Sequence, residues 1–493
     1  MSQIQIKDLT FAYEGGTPVF EHFSLSLDTD WKTGLVGRNG RGKTTLLGLL
    51  SGELRGRGLI LSEREPARFP FACDLSRTAG AMLAARSGAE AWEIEREWSL
   101  LEAPEEALSR PLAELSPGER TKAMLAALFL EPERFLLLDE PTNHLDARGR
   151  EQVGRYLRRK RRGFLLVSHD RDFLDACTDH TVSLNRADCD VVRGSFSVWF
   201  REKEAEDRAA LEQNQKLKKE IVRLRESARQ ASEWADRAER SKKGGRDGAP
   251  RPDRGYIGHK AAKMMKRAGV LKDRREAAAE EKEGLLKNVE QAPDLKIAPL
   301  TFHTDRLAEL RKVSLTFSRP LFEGVDLTLR EGERVAVTGP NGCGKSSLLS
   351  LVCGDRLPTS GQVLISPRLV ISRLEQERAL SGSLDQFLSE RGLEPSRMLT
   401  LLRKLDFSRE SFDLPLQALS EGQRKKLLLA ASLCRPAHLY VWDEPLNYVD
   451  LWTRIQIERL ILDSRPTLLF VEHDAAFVRH IATRVLDLSA REA

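Results

Sequence analysis

The 493-residue sequence lacks the features that would assign it to a membrane or to the secretory pathway. It contains no run of 18 or more apolar residues, so no segment is expected to span a bilayer by itself. The N-terminus lacks the basic and then apolar pattern of a secretory signal. The six cysteines are scattered and form no C-x-x-C pair. Reduced thiols in a cytoplasmic protein are therefore expected, rather than a metal cluster.

The stretch GRNGRGKTT at residues 37–45 matches the phosphate-loop pattern G-x-x-x-x-G-K-[ST]. An apolar strand is expected before it and a leucine-rich helix after it, so that backbone N–H groups and a helix N-terminus face an anion. A second match, GPNGCGKSS, begins at residue 339. The expected nucleotide-binding residues are Gly37, Asn39, Gly40, Gly42, Lys43, Thr44 and Thr45, and then Gly339, Asn341, Gly342, Gly344, Lys345, Ser346 and Ser347.

Other motifs also occur twice and in the same order. LSPGER returns as LSEGQR, RFLLLDEP as HLYVWDEP, and FLLVSHD as LLFVEHD. The two phosphate-loop lysines are 302 positions apart, and the three later motifs are each repeated at 304 positions. Four motifs repeated in one order at nearly one offset indicate a duplicated domain.

The repeats predict three segments of chain. Residues 1–195 and 298–493 are each expected to form an α/β domain with a mainly parallel sheet, because short apolar strands alternate with amphipathic helices. Residues 196–297 are rich in Glu, Lys, Arg, Ala and Gln and form a linker between the domains. The phosphate-loop lysine and the later motif serine are 73 positions apart in the first half and 75 in the second, so neither half carries a large insertion that the other lacks.

The linker has the heptad pattern of a coiled coil. Apolar residues recur at alternating steps of four and three from Leu217 to Ala238, and again from Ile257 to Leu271. Between these arms lies a Gly- and Pro-rich tip at residues 242–257, which predicts an antiparallel helical hairpin. Residues 237–275 hold fourteen Lys and Arg against four Asp and Glu, a net charge of +10. A solvated linker with no target is the alternative.

Acidic and histidine residues after the apolar strands predict metal-dependent phosphate chemistry. A carboxylate at the end of a strand beside the phosphate loop can hold Mg²⁺ together with the loop hydroxyl, and the glutamate that follows can polarise water. The expected Mg²⁺ ligands are Thr44, Asp139, Ser346 and Asp443, and the expected catalytic residues are Glu140, Glu444, His169 and His473. Tyr13 and Phe317 are candidates to stack on adenine, although an aromatic residue in a strand more often belongs to a core.

Together these motifs resemble those of the ATP-binding cassette (ABC) family across essentially the whole chain. The resemblance implies two ATP molecules sandwiched between cassettes that face each other head to tail. Each phosphate loop would then meet the signature motif of the other cassette, whose residues are Ser116, Gly118 and Glu119 in the first cassette and Ser420, Gly422 and Gln423 in the second.

Two departures from the family pattern affect these expectations. The family places a glutamine after the third strand, where it contacts Mg²⁺ and water; Gln376 fits this position in the second cassette. No glutamine lies between Lys43 and Ser116, so the first site is expected to couple differently. Pro117 and Glu421 replace the usual second signature glycine. Both catalytic glutamates remain, so two hydrolytic sites are expected, and they need not be equal.

Two cassettes joined by a basic hairpin are similar to the ABC-F group, and most similar to its Lsa-type antibiotic-resistance members. This resemblance implies a monomer that binds the ribosomal exit site, directs the hairpin towards the peptidyl-transferase centre and protects against lincosamides, streptogramin A compounds and pleuromutilins. The expected RNA contacts at the tip are Lys242, Lys243, Arg246, Arg251, Arg254 and Tyr256. A housekeeping translation factor, a transporter ATPase subunit and a DNA-repair ATPase are the alternatives.

Overall fold

A computed structural model describes residues 2–143, 145–185, 189–240, 295–317, 320–374 and 380–488, and single positions between 263 and 282. Side chains at 231, 232, 234–240 and 410 are outside this description. The chain divides into two compact units. One contains residues 1–199 and 292–493, and the other contains residues 200–291.

Cassette 1 combines an antiparallel sheet with a larger, mostly parallel sheet. Its strands are β1 (Gln3–Ala12), β2 (Pro18–Asp28), β3 (Lys32–Gly37), β4 (Arg57–Ser62), β5 (Pro66–Phe69), β6 (Phe135–Asp139), β7 (Phe164–Val167), β8 (His180–Leu184) and β9 (Cys189–Arg193). Its helices are α1 (Lys43–Leu50), α2 (Ala79–Ser87), α3 (Ala91–Leu100), α4 (Pro117–Leu130), α5 (Ala147–Arg159) and α6 (Arg171–Cys177).

The strand order brings the functional loops of cassette 1 to one edge. The small sheet has the order β2-β1-β4, and the large sheet has the order β5-β6-β7-β3-β8-β9. Strands β5, β6, β7, β3 and β8 are parallel, and β9 runs antiparallel to β8. Since the carboxyl ends of parallel strands share one edge, the loops after β3, β6 and β7 lie together there. The leucine-rich helix expected after the phosphate loop is α1, and its leucines at 46, 47, 49 and 50 are buried.

Cassette 2 repeats this plan. Its strands are β10 (Arg306–Thr316), β11 (Pro320–Arg330), β12 (Arg334–Thr338), β13 (Ser360–Ile365), β14 (Ile371–Leu374), β15 (Leu439–Asp443), β16 (Leu468–Val471) and β17 (Arg484–Asp487). Its helices are α8 (Lys345–Val352), α9 (Leu384–Glu390), α10 (Pro395–Lys404), α11 (Glu421–Cys434), α12 (Leu451–Ser464) and α13 (Ala475–Ile481). The sheet orders are β11-β10-β13 and β14-β15-β16-β12-β17. The α/β fold expected for each half is therefore confirmed.

A single helix, α7 (Phe196–Arg240), leaves cassette 1 and runs for 45 residues. At 1.5 Å per residue it is about 68 Å long. The predicted seam is buried at Ile221 and Ala228, whereas Val222 between them is 53% exposed. No helix among the residues described is both long and apolar enough to cross a membrane.

Two contacts within the unit of residues 200–291 show that the segment around residues 275–282 runs antiparallel to α7. The Arg275 guanidinium donates to the carbonyl of Ser227 at 2.9 Å, and Lys282 pairs with Glu220. Lys282 is seven residues after Arg275, whereas Glu220 is seven residues before Ser227. Partners that move in opposite directions along the chain by one heptad are typical of two antiparallel helices. The tip at 242–257 and the seam residues Ile257 and Leu271 lie outside the described residues, so the turn of the hairpin stays a prediction.

Gly163 allows a close backbone approach at the start of β7. A Cβ at this position would lie 2.2 Å from the carbonyl oxygen of Thr29 and 2.5 Å from that of Trp31. Because both neighbours are backbone atoms, they cannot move aside cheaply. We expect Gly163→Ala to lower the free energy of unfolding by about 3 kcal/mol. Urea denaturation followed by circular dichroism measures this change.

The matched control for this prediction is Gly16→Ala. There the nearest atom to the added Cβ is the Tyr13 carbonyl oxygen at 3.4 Å, an ordinary contact. The control should change stability by no more than about 0.5 kcal/mol. Equal stability of the two variants would contradict the close approach at Gly163.

Candidate nucleotide sites

The phosphate loop of cassette 1 connects the end of β3 to the first turn of α1. Gly42 has φ +84°, and a Cβ there would lie 2.7 Å from the Phe20 ring, so this position requires glycine. The Lys43 ammonium donates to the carbonyl oxygens of Gly37 at 2.7 Å and Arg38 at 3.2 Å. The lysine is therefore held over the loop whose N–H groups would cradle a phosphate.

The second phosphate loop has the same form. It connects β12 to α8, and Gly344 has φ +100°. The Lys345 ammonium donates to the carbonyl oxygens of Gly339 at 2.8 Å and Pro340 at 3.0 Å. Gly37 is the last residue of β3, and the other predicted loop residues of both cassettes lie in these two connections or in the first helical turns that follow them.

The predicted Mg²⁺ ligands lie together in each cassette. The Thr44 hydroxyl lies near the Asp139 carboxylate, and the Ser346 hydroxyl lies near the Asp443 carboxylate. Burial is the main reason that the pKa of each carboxyl is raised. Asp443 Oδ1 is buried and has no hydrogen-bond partner in the described structure. A hydroxyl beside a partly unsatisfied carboxylate suits Mg²⁺, which accepts few protein oxygens and completes its shell with phosphates and water.

Each glutamate predicted to be catalytic lies beside the predicted histidine of its own cassette. Glu140 Oε1 is 3.4 Å from His169 Nε2, and Glu444 Oε1 is 3.4 Å from His473 Nε2. Both glutamates have left-handed backbones, with φ +49° and +48°. This conformation is strained for a residue with a Cβ and occurs preferentially at functional sites. Sequence reasoning had no signal for the strain.

The charge state of the first site is set mainly by burial. Burial raises the pKa of Glu140 to about 7, while the Arg454 guanidinium opposes the rise. Burial, with the Lys43 ammonium next, holds the pKa of His169 well below its usual range. The histidine is therefore neutral near pH 7, and the glutamate lies at its titration midpoint. A group poised near the working pH suits proton transfer from water.

Residues of cassette 2 complete the site of cassette 1. A Cβ on signature residue Gly422 would lie 3.5 Å from Asn39 Nδ2 in the first phosphate loop. Asp450 lies close enough to oppose the fall in the pKa of Lys43 that burial causes. Elsewhere on the boundary, Arg171 of cassette 1 pairs with Glu458 of cassette 2. The head-to-tail arrangement is thus present for this site.

The opposite pairing, of the second phosphate loop with Ser116 and Gly118, stays a prediction. In both cassettes the signature serine begins a helix, Ser116 at α4 and Ser420 at α11. Glu119 and Gln423 reach back to the backbone N–H of these serines at 2.8 and 2.9 Å. Each pair forms a capping box, which fixes the first turn of its helix. The backbone N–H groups of a first helical turn are the groups that bind anions such as phosphate.

The two candidate adenine platforms lie at the ends of matching strands. Tyr13 follows β1, is 52% exposed and bonds through its hydroxyl to the Thr45 hydroxyl at 3.0 Å. Phe317 follows β10, is 53% exposed and lies under the Arg356 guanidinium at 5.2 Å. Neither ring is buried in a core, and the exposure of both is compatible with stacking on a base.

The structure identifies the residue of cassette 1 that occupies the position of the missing glutamine. Gln376 lies outside the described residues, but it follows β14 by two positions, and the equivalent position after β5 is Phe71. The Phe71 ring lies under the Arg86 guanidinium at 3.6 Å. Arg68 on β5 also reaches the site and contacts Asp139 Oδ2 at 3.1 Å, and the equivalent Arg373 on β14 lies near enough to Asp443 to lower its pKa against the effect of burial. The sequence analysis missed this pair because the arginines lie outside the repeated motifs.

The first site thus combines a phosphate loop, the predicted metal-binding pair and the predicted catalytic glutamate of cassette 1 with the predicted signature motif of cassette 2, an arrangement that suits a phosphate-loop ATPase. The family model described as ABC transporter matches residues 20–143 and 322–447. The chain therefore belongs to the ABC family, as a tandem-cassette ATPase, and its relatives include ABC-F proteins.

Two curated relatives and one solved structure illustrate the likeness. The ribosome protection protein VmlR of Bacillus subtilis (strain 168) is 29% identical over 96% of this chain and 84% of its own length. The ATP-binding protein Uup of Caulobacter vibrioides is 29% identical over 99% of this chain and 77% of its own length. The structure of RNase-L Inhibitor, 20% identical, covers 98% of this chain and 87% of its own with a TM-score of 0.64, and it supports the fold alone.

The pKa of Glu140 predicts how the first site responds to pH. In the Glu444→Gln variant only this site is expected to hydrolyse ATP, and kcat/KM reports groups of the free enzyme. Because the ionised glutamate is the competent form, we expect kcat/KM to rise about tenfold between pH 6 and pH 8, with a midpoint near 7. Steady-state ATPase assays across this range measure it.

As a control, the affinity of the Glu140→Gln, Glu444→Gln double variant for ATP is measured at each pH. Any change in that affinity reports titration of the nucleotide and is used to correct the kcat/KM profile. A corrected profile that stays flat between pH 6 and pH 8 would contradict the assignment of Glu140 as the group that accepts the proton.

Proposed function

We propose that this protein is a cytoplasmic, ribosome-associated ABC-F ATPase that acts as a monomer. ATP would close its two cassettes on each other, and the linker hairpin would extend towards the peptidyl-transferase centre from the ribosomal exit site. There it would protect the ribosome against lincosamides, streptogramin A compounds and pleuromutilins. The observation that carries the proposal is the close approach of Gly422 to the Asn39 loop within one chain that also carries a 45-residue helix between its cassettes.

The nucleotide residues support a clamp that opens on hydrolysis. With MgATP bound, the metal would neutralise charge on the phosphates and be held by Thr44 and Asp139 in one site and by Ser346 and Asp443 in the other. Glu140 and Glu444 would orient the attacking water. Gly422 would close over the first nucleotide, so loss of the terminal phosphate would remove a contact shared by both cassettes.

The linker supports an RNA target. Its net charge of +10 over residues 237–275 suits a phosphate backbone, since neutralising phosphates releases condensed counterions. A helix of about 68 Å is long enough to carry the tip far from its cassette. The name of the relative VmlR states ribosome protection, and its alignment includes almost the whole of this chain.

A housekeeping ABC-F translation factor without a role in resistance is the second candidate. It is favoured by the likeness to Uup, whose name states only ATP binding and whose identity equals that of VmlR. The two candidates share the ATPase cycle and differ in whether a sensitive bacterium gains resistance. A transporter subunit or a DNA-repair ATPase has less support, because neither requires a basic hairpin between the cassettes.

Glu140→Gln with Glu444→Gln is expected to bind ATP but hardly hydrolyse it. The change preserves side-chain size and the metal ligands but removes the charge that orients water. The closed state should persist, so the variant should sediment with ribosomes in ATP and slow growth when overproduced. ATPase assays and sucrose-cushion sedimentation measure both effects.

The control is Glu63→Gln with Glu323→Gln, two exposed glutamates, which should behave as wild type. Turnover near the wild-type rate in the catalytic double variant would remove both glutamates from their assigned role. A variant trapped in ATP that sediments with membranes instead of ribosomes would exclude the ribosome as partner.

Replacement of residues 242–256 by a short Gly/Ser turn is expected to abolish drug protection. The tip is distant in sequence from both nucleotide sites, so basal ATPase should persist and ribosome binding should only weaken. Shortening the arms removes about 1.5 Å of reach per helical residue. Minimum inhibitory concentrations of lincosamides and pleuromutilins in a sensitive bacterium measure protection.

A second variant separates charge from reach. Neutralising Lys242, Lys243, Arg246, Arg251 and Arg254 keeps the length but should flatten the salt dependence of ribosome binding. Full protection by the shortened protein would show that the tip is a passive linker. If the intact protein protects against none of these drugs, the housekeeping candidate takes the place of the resistance candidate.

A further inference from the structure

Cassette 1 carries a basic surface that lies far from its nucleotide site. Six of the eight residues from 155 to 162 are Arg or Lys, and none is acidic. The equivalent segment of cassette 2, residues 459–466, has two Arg and one Asp. The fold that the two cassettes share therefore does not need positive charge at this position, and the basic segment is particular to cassette 1.

Half of the cations in this segment have local partners. Arg155 pairs with Glu102 and Lys160 with Glu97, while Arg162 donates to the carbonyl oxygens of Arg134 and Glu131. The remaining three have exposed side chains and form no ion pair with any residue in the described part of the chain; they are Arg158, Arg159 and Arg161. Cations in the last turn of a helix stabilise it, but Arg161 lies beyond the end of α5 and cannot be explained in this way.

An aromatic pair lies next to these arginines. The Trp31 and His180 rings are stacked, with centroids 4.0 Å apart and planes 7° apart. Asp179 Oδ1 holds His180 Nδ1 at 2.6 Å. The Lys32 ammonium donates to the carbonyl of Arg158 at 2.8 Å, and the Phe164 N–H donates to the carbonyl of Trp31 at 3.0 Å. These bonds connect the aromatic pair directly to the basic segment.

The aromatic pair opens onto a surface cavity of about 450 Å³. Among the described residues it is lined by Trp31, His180, Val191 and Arg193. Val191 is 41% exposed, and the Arg193 side chain is exposed and has no ion pair in the described structure. The cavity is large enough for one planar base, and Arg193 supplies a further cation at its edge.

This surface lies at the amino ends of β3, β7 and β8, whereas the phosphate loop follows the carboxyl end of β3. The six residues of β3 separate the two by about 20 Å. None of the residues that form the surface contacts the nucleotide residues described above. A ligand bound here would therefore leave the phosphate loop accessible.

We propose that this surface, formed by Trp31, Arg158, Arg159, Arg161, His180 and Arg193 and here termed the basic face of cassette 1, binds single-stranded RNA. The arginines contact successive phosphates, and an unpaired base enters the cavity and stacks on the aromatic pair. This combination of a cationic groove and an aromatic platform is how single strands are held without base pairing. The inference deepens the proposed function, since ribosomal RNA is the RNA that such a protein would meet.

Two variants of the full-length protein test the two parts of the surface. Arg158→Ala with Arg159→Ala and Arg161→Ala removes three cations; its control is Arg368→Ala with Arg403→Ala and Arg409→Ala, three exposed arginines of cassette 2. Trp31→Ala removes the platform and preserves the charge. Circular dichroism melting and basal ATPase, which should match wild type, confirm that each variant is folded.

Binding is measured by fluorescence anisotropy with a labelled 12-nucleotide oligouridine across a range of salt concentrations. The loss of three phosphate contacts should lower the slope of log affinity against log salt by about 2. Trp31→Ala should weaken binding about 5- to 100-fold with the slope unchanged, because stacking releases no counterions. The control triple variant should keep the wild-type slope.

Equal slopes for the two triple variants, or wild-type binding by Trp31→Ala, would overturn the proposal. So would variants that lose ribosome sedimentation but bind the oligonucleotide normally, because the partner would then be a ribosomal protein. Failure of the wild-type protein to sediment with ribosomes would count against the proposed function, whereas the oligonucleotide results decide the basic face independently.

Discussion

A buried lysine and a partly buried glutamate of cassette 1 face one nucleotide site, and charged residues of cassette 2 border that site. Lys43 and Glu140 belong to cassette 1, and the groups that balance them include Asp450 and Arg454 of cassette 2. Removing such charges from water is costly unless partners are supplied. The first site is therefore electrostatically incomplete without the other cassette. The charge state of the glutamate depends on this shared environment, because the Arg454 guanidinium of cassette 2 opposes the rise in the pKa of Glu140 that burial causes.

The duplication explains how much the sequence could predict. Repetition at a nearly constant offset is enough to identify the phosphate loops, Asp139 and Asp443, and the His169 and His473 positions. The structure places each aspartate beside its loop hydroxyl and each histidine 3.4 Å from its glutamate. Such positions are predictable because phosphate and metal chemistry requires particular residue types at the ends of parallel strands.

Features without a fixed residue pattern could not be predicted. The left-handed backbones of Glu140 and Glu444 arise from the tertiary position of the turn after the strand, and Glu has no intrinsic preference for that conformation. The contact of Arg68 with Asp139 depends on strand order, which brings β5 beside β6. The basic face had a signal, the run of cations at 155–162, but the comparison of that run with cassette 2 was needed to distinguish it from an ordinary helix end.

In the proposed function, ATP closes the cassettes within one chain and thereby directs the linker hairpin into the ribosome. Cryo-electron microscopy of the Glu140→Gln, Glu444→Gln variant with ATP and ribosomes would show whether this complex forms. We expect two nucleotides, one between Lys43 and Gly422 and the other between Lys345 and Gly118, with residues 242–257 in density near the peptidyl-transferase centre. A ribosome complex with separated cassettes, or with the hairpin directed away from that centre, would contradict it.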